Sequence, residues 1–138
     1  MREVVALANG TEAVYLALKS LNLPRGSRIG LAPNCGGYST SAILRNNQIP
    51  VYCDVSLETG LPTLESVQKL IESGISAYIA THLYGQVSSE ISQIAQLCLA
   101  NGVFLIEDCA QAHGVKVENK LAGTFGDLSL IHISEPTR

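Results

Sequence analysis

The chain has 138 residues, 46% of them apolar, enough for one compact domain around one hydrophobic core. Its formal net charge of -3 comes from interspersed Lys, Arg, Asp and Glu and leaves no basic face to gather a phosphodiester backbone, which argues against a nucleic-acid partner. No apolar run approaches the roughly 18 residues needed to cross a bilayer. The four cysteines, Cys35, Cys53, Cys98 and Cys109, are too scattered for a Cys-x-x-Cys pair and are expected as thiols in a soluble, cytoplasmic protein with no membrane partner.

In chain order, Val4–Ala8 reads as a short β-branched strand, followed by a helix over Glu12–Leu21 that Asn22 and Pro24-Arg25-Gly26 end. A strand over Arg28–Ala32 leads to a helix over Ser39–Asn46, and a strand over Pro50–Val55 to a helix over Leu64–Ser73. In that helix Leu64, Val67, Leu70 and Ile71 share one stripe. Ala77–Thr81, a helix over Ser89–Asn101 and Phe104–Asp108 complete the series. The strand runs are almost continuously apolar, so both faces should be covered by helices. The fold class is therefore α/β, a three-layer α/β/α arrangement with a mostly parallel sheet.

Ligands of open α/β sheets collect beyond the carboxyl ends of the strands. The residues there are polar: Asn9-Gly10-Thr11, Pro33-Asn34-Cys35-Gly36-Gly37-Tyr38, Asp54, His82-Leu83-Tyr84-Gly85 and Asp108-Cys109-Ala110-Gln111-Ala112-His113. Asn9-Gly10-Thr11 is either a phosphate cup at a positive helix end or an ordinary N-cap. A carboxylate ending so apolar a strand must be paired, so Asp108 either meets a protonated ring nitrogen or serves as a cap or buried salt bridge. Strand alternation would place Ala110 on the face of Asp108, under a ring whose oxygen Gln111 could reach. Tyr38 and Tyr84 either touch a planar ligand or fill the core rim. His82 and His113 match no common zinc spacing, which favours satisfied buried histidines over a metal site. No G-x-G-x-x-G follows the first strand and no P-loop lysine is present, so a dinucleotide or triphosphate module finds no support.

Taken together, Asn9-Gly10-Thr11-Glu12-Ala13, Thr81-His82-Leu83-Tyr84-Gly85-Gln86, Glu107-Asp108-Cys109-Ala110-Gln111-Ala112-His113-Gly114 and Gly123-Thr124-Phe125-Gly126-Asp127 resemble the DegT/DnrJ/StrS family of pyridoxal-phosphate-dependent sugar aminotransferases. The resemblance runs from about Val4 to Ser129. It implies part of the large domain of a fold-type I transferase, with pyridoxal 5'-phosphate as cofactor. Gly10 and Thr11 would hold its phosphate, Asp108 its pyridinium nitrogen, Ala110 one ring face and Gln111 the phenolic oxygen. Where the family places an aromatic residue over the other face, Cys35-Gly36-Gly37 stands here, and Tyr38 takes that role. The implied substrates are a keto sugar on a nucleotide and an amino-acid donor such as glutamate, and the implied assembly is a homodimer.

The tail from Leu130 to Arg138 departs from the family pattern, and residues 1–129 are expected to form a partial cofactor-binding domain with residues 130–138 outside it. The expected phosphate-binding serine falls at His132 and the Schiff-base lysine at Thr137, so the isolated chain is expected to be inactive. Lys19 and Lys69 lie on helices, and Lys116 and Lys120 in a loop, none suited to replace that lysine. The remaining readings are a dehydratase using the same cofactor, a non-catalytic phosphate- or nucleotide-binding module, and an interaction domain whose polar strand ends are only caps.

Overall fold

Short β-branched runs alternating with amphipathic helices fold as repeated β-α units in the computed structural model, which describes residues 3–132. The elements are α1 (Gly10–Ser20), β1 (Arg28–Leu31), α2 (Tyr38–Arg45), β2 (Ile49–Tyr52), α3 (Leu64–Glu72), β3 (Ala77–Thr81), α4 (Ile91–Ala100), β4 (Phe104–Asp108), β5 (Lys116–Val117), β6 (Lys120–Leu121) and β7 (Leu128–Leu130), with a 3-10 turn at Leu83–Gly85. Five strands form one sheet in the order β2-β1-β3-β4-β7, and every pair in it is parallel. The small β5-β6 hairpin is antiparallel and separate.

Period-two alternation divides the core between the two faces. Ala77 and Ile79 of β3 pack with Ile29, Leu31 and Ile106 against Val14 and Leu18 of α1 and Ala42 and Ile43 of α2. Their neighbours Tyr78 and Ala80 point the other way, with Leu105, toward Val67 and Leu70 of α3 and Ile91 and Ile94 of α4. Both faces are thus covered by helices, which gives the three layers that the apolar strands require.

The local signals act as expected at several ends. Asn9 caps α1 by accepting from the Glu12 amide at 2.9 Å. Thr63 and Ser66 cap α3 reciprocally. The structure differs from the sequence reading at Val4–Ala8, which is not a strand: Val4 is 89% and Val5 76% exposed, and the segment has no ladder partner among the described residues. A β-branched run becomes a strand only where a neighbour supplies hydrogen bonds. The third expected strand is shifted to Ile49–Tyr52, and Val55 instead makes an isolated antiparallel bridge to Pro62. The β5-β6 hairpin was not expected because its turn is Glu118-Asn119, both at positive φ, where Gly or Asn is the usual signal and Glu is not. Leu130 is buried in the α1/α2 core as the last residue of β7. His132 is exposed, and Thr137 lies outside the described residues.

The segment leading into β7 is clipped to β4 at one residue. The Leu105 amide donates to Asp127 Oδ2 at 2.8 Å, and the Asp127 amide returns a bond to the Leu105 carbonyl at 2.8 Å. Gly126 makes this approach possible, since a Cβ there would sit 2.6 Å from the Leu105 carbonyl oxygen. Gly126→Ala should therefore cost about 3 kcal/mol in urea-unfolding measurements, because a backbone atom cannot yield. Gly10→Ala, where an added Cβ meets nothing within 4 Å, should stay within about 1 kcal/mol of the parent.

Candidate cofactor site

Alternation along β4 sends Leu105 and Glu107 toward the α3/α4 face and Ile106 and Asp108 toward the α1/α2 face. The two adjacent carboxylates consequently have opposite surroundings. Glu107 has no exposed surface. Its Oε2 accepts from His82 Nε2 at 3.0 Å and the Gly123 amide at 2.9 Å, and its Oε1 from the amides of Phe125 at 2.6 Å and Gly126 at 2.7 Å. Four donors on two oxygens use the carboxylate's acceptor capacity fully. Burial alone would raise the Glu107 pKa, but His82 and the Gly123 and Gly126 amides outweigh it and hold it below the usual carboxylate value.

His82, Glu107 and Cys109 offer ligand atoms within 4.8 Å of one another. The chemistry of the trio does not suit a metal. The Glu107 lone pairs are committed to N–H donors, and burial pushes the Cys109 thiol up to about 12, away from the thiolate that a metal ligand must be. His82 is thus a satisfied buried histidine, as the sequence reading favours. His113 is not: it is exposed, because it follows the turn that leaves the sheet.

Asp108 faces the other layer and is only partly satisfied. Its Oδ1 accepts from the Ala110 amide at 3.1 Å, and its second oxygen has no partner among the described residues. Burial raises its pKa, eased by the Ala110 amide and by His82. Thr81 lies beside it in register on β3. The Cys35 thiol, which donates to the Ala32 carbonyl at 2.8 Å, packs in the same layer, and burial raises its pKa, eased by the Thr81 and Ser39 hydroxyls and reinforced by the Asp108 charge. Of the other readings of Asp108, the buried salt bridge does not form, since no cation pairs with it among the described residues, and the cap is present only as the turn bond to the Ala110 amide, with no helix following.

Two helix N-termini converge on this edge. α1 ends where the chain enters the amino end of β1, and α2 begins where it leaves the carboxyl end, so Gly10-Thr11 and Tyr38 both stand at the carboxyl edge, on the Asp108 face. Asn9 makes the N-cap, but it satisfies only the Glu12 amide. The amides of Gly10 and Thr11 and the Thr11 hydroxyl have no partner among the described residues, so capping and anion binding are compatible.

Ala110 requires a correction. β4 ends at Asp108 and residues 109–111 turn, so strand alternation does not place Ala110. It is exposed at the edge, brought near Asp108 by its own amide. Gln111 accepts from the Tyr84 amide through Oε1 at 2.9 Å, which leaves its NH2 group available. That bond fixes the Leu83–Gly85 turn, where Tyr84 holds a left-handed φ of 57°, a conformation costly for a bulky residue. Tyr84 is 72% and Tyr38 70% exposed, so neither fills the core rim, and the Tyr38 ring rests near Gly36. The sequence reading missed the Glu107 cradle. Its signal was present as a second acidic residue in a buried strand and two glycines in the following loop.

The two carboxyls act oppositely on stability. Glu107, with a lowered folded pKa, contributes stability that is present above its unfolded value of about 4.3 and lost as pH falls through the folded value. Asp108, with a raised folded pKa, withdraws stability as pH rises from its unfolded value of about 3.9 through the folded one. Glu107→Gln places an NH2 group against N–H donors and should cost about 3–5 kcal/mol at pH 7. Asp108→Asn keeps an acceptor for Ala110 and should cost nothing. Urea unfolding at pH 7 checks both, and the Glu107→Gln deficit should shrink as the pH is lowered below 4.

The sequence and the fold resemble those of known proteins. The chain is 33% identical over 129 residues to the GDP-perosamine synthase of Vibrio cholerae, covering 94% of this chain and 35% of that one. It is 36% identical over 127 residues to dTDP-4-dehydro-2,3,6-trideoxy-D-glucose 4-aminotransferase of Saccharopolyspora spinosa, covering 92% and 33%. The fold superposes on the X-ray structure of an aminotransferase from Psychrobacter cryohalolentis with a TM-score of 0.83 at 29% identity, over 89% of this chain and 31% of that one. The chain thus spans about a third of the length of the relatives it matches. The DegT/DnrJ/EryC1/StrS aminotransferase family model matches residues 1–132, and the chain belongs to that family.

Proposed function

We propose that this chain carries the ring- and phosphate-binding part of a pyridoxal-phosphate-dependent sugar aminotransferase. The observation that carries the reading is the half-satisfied Asp108 carboxylate on the same sheet edge and face as the open N-terminus of α1. An anionic phosphate suits the free amides of Gly10 and Thr11 and the positive helix end. A protonated pyridine nitrogen suits the free oxygen of Asp108, and the Gln111 NH2 group suits a phenolic oxygen. The open space around Gly10 leaves room for close approach.

In this reading Gly10 and Thr11 hold the phosphate, Asp108 keeps the ring nitrogen protonated, Ala110 lies against the ring, Gln111 orients its oxygen and Tyr38 closes over the other face. The bound cofactor supplies an electron sink for the carbon that loses a proton, and the protein supplies orientation and charge. The partial large domain expected over residues 1–129 takes in Leu130 as well, which closes β7 and packs in the core. The whole enzyme, a cytoplasmic homodimer, moves an amino group from an amino acid such as glutamate to a keto sugar on a nucleotide. The relatives' names, a GDP-perosamine synthase and a dTDP-sugar aminotransferase, support that substrate class.

An absorbance titration of the purified chain with pyridoxal phosphate, followed by borohydride, tests this. Saturable binding is expected, with no unique lysine fixed by borohydride. Asp108→Asn should weaken binding about 10- to 100-fold, the loss of one charge-assisted hydrogen bond. Gly10→Ala should weaken it while leaving the fold intact. Binding indifferent to both substitutions would overturn the site assignment.

A further inference from the structure

Two buried side-chain polar atoms lack a hydrogen-bond partner among the described residues, Gln48 Oε1 and Thr81 Oγ1. Gln48 sits at the turn before β2, whereas Thr81 ends β3 at the site edge. An unmade hydrogen bond in a buried hydroxyl is unfavourable and calls for a reason. Valine has the same shape and higher β propensity, so packing alone would be better served by it.

The neighbourhood of Thr81 narrows the choice of acceptor. The nearby Cys35 sulfur is a weak acceptor, and its own proton is committed to the Ala32 carbonyl. The Thr81 backbone is in register with Asp108 on the adjacent parallel strand, and paired residues of a parallel ladder project to the same face with Cβ atoms about 5 Å apart. One rotamer step of a hydroxyl at that separation reaches a carboxylate oxygen. Asp108 offers one, since only its Oδ1 is engaged, by the Ala110 amide.

We infer that Thr81 is a positioning residue for Asp108, its hydroxyl donating to the second carboxylate oxygen and fixing the plane that the carboxylate presents to a ring nitrogen. This rests on the cofactor reading of Asp108. A carboxylate held only by the Ala110 amide can pivot about that one bond, whereas a second donor fixes its orientation. Three donors, the Ala110 amide, the Thr81 hydroxyl and the ring N–H, fit within the acceptor capacity of one carboxylate.

The test compares the 138-residue chain with Thr81→Val, Thr81→Ser and Asp108→Asn by thermal melting, by the 13C resonance of the Asp108 carboxyl carbon without cofactor, and by pyridoxal phosphate titration. Thr81→Val should move the Asp108 resonance, raise its titration midpoint, and bind the cofactor about 10-fold more weakly. Thr81→Ser should restore the resonance and the affinity. An unmoved Asp108 resonance in Thr81→Val overturns the inference, and so does a lowered melting temperature with unchanged affinity, which would mean a purely structural hydroxyl. If the parent chain ignores pyridoxal phosphate, or Asp108→Asn binds it equally, the cofactor reading fails instead. The cofactor-free resonance still decides whether Thr81 holds Asp108.

Discussion

Glu107 occupies a position on β4 where an aliphatic side chain would be the simplest choice, and the carboxyl edge of the sheet is organised around the consequence. Removing a carboxylate from water costs several kcal/mol, and only donors placed around it can offset that. Three of the four donors are amides of one loop, Gly123, Phe125 and Gly126, and the fourth is the ring of His82 from the adjoining strand end. A single buried charge therefore ties the loop before β7 to the end of β3. The Asp127 clip on Leu105 seals the same junction from the backbone side.

That anchoring matters to Asp108 because the two residues are consecutive. With Glu107 locked on one face, the Asp108 Cα is held, and its carbonyl accepts from the His82 amide at 3.0 Å. The only freedom left to Asp108 is that of its side chain. One carboxylate of the pair is saturated and low in pKa, the other half-satisfied and raised. The saturated one is a structural member, and the half-satisfied one is the group with capacity left for a ligand.

The fold was largely legible in the sequence because it depends on periodicity. Apolar runs short enough for strands and stripes such as Leu64, Val67, Leu70 and Ile71 leave little choice but covered parallel strands. The placement of Gly10 and Thr11 at the opening of α1 and of Asp108 at the end of β4 was legible for the same reason, and Gln111 lies in the turn that follows β4. What was not legible depends on partners distant in the chain. Val4–Ala8 has strand composition but no strand neighbour among the described residues, Ala110 lies beyond the point where alternation stops, and His113 is carried out by the turn. The role of Glu107 required knowing that a loop 16 to 19 residues later folds back with its amides inward.

The same edge shows how stability is distributed when a site has to stay open. Tyr84 in a left-handed conformation, the unpartnered amides of Gly10 and Thr11 and the incompletely filled Asp108 carboxylate each leave local free energy unrecovered. They lie together at the carboxyl edge, and the two placed by strand or helix packing, Thr11 and Asp108, share the α1/α2 face. On the opposite face of β4 the polar groups are satisfied, with the Glu107 carboxylate filled and the Asp127 clip closed. A protein folding for stability alone would have no reason for this asymmetry. A ligand that brings an anion, a cationic ring N–H and a hydrogen-bond acceptor would complete the groups left open, so the unrecovered free energy becomes binding free energy.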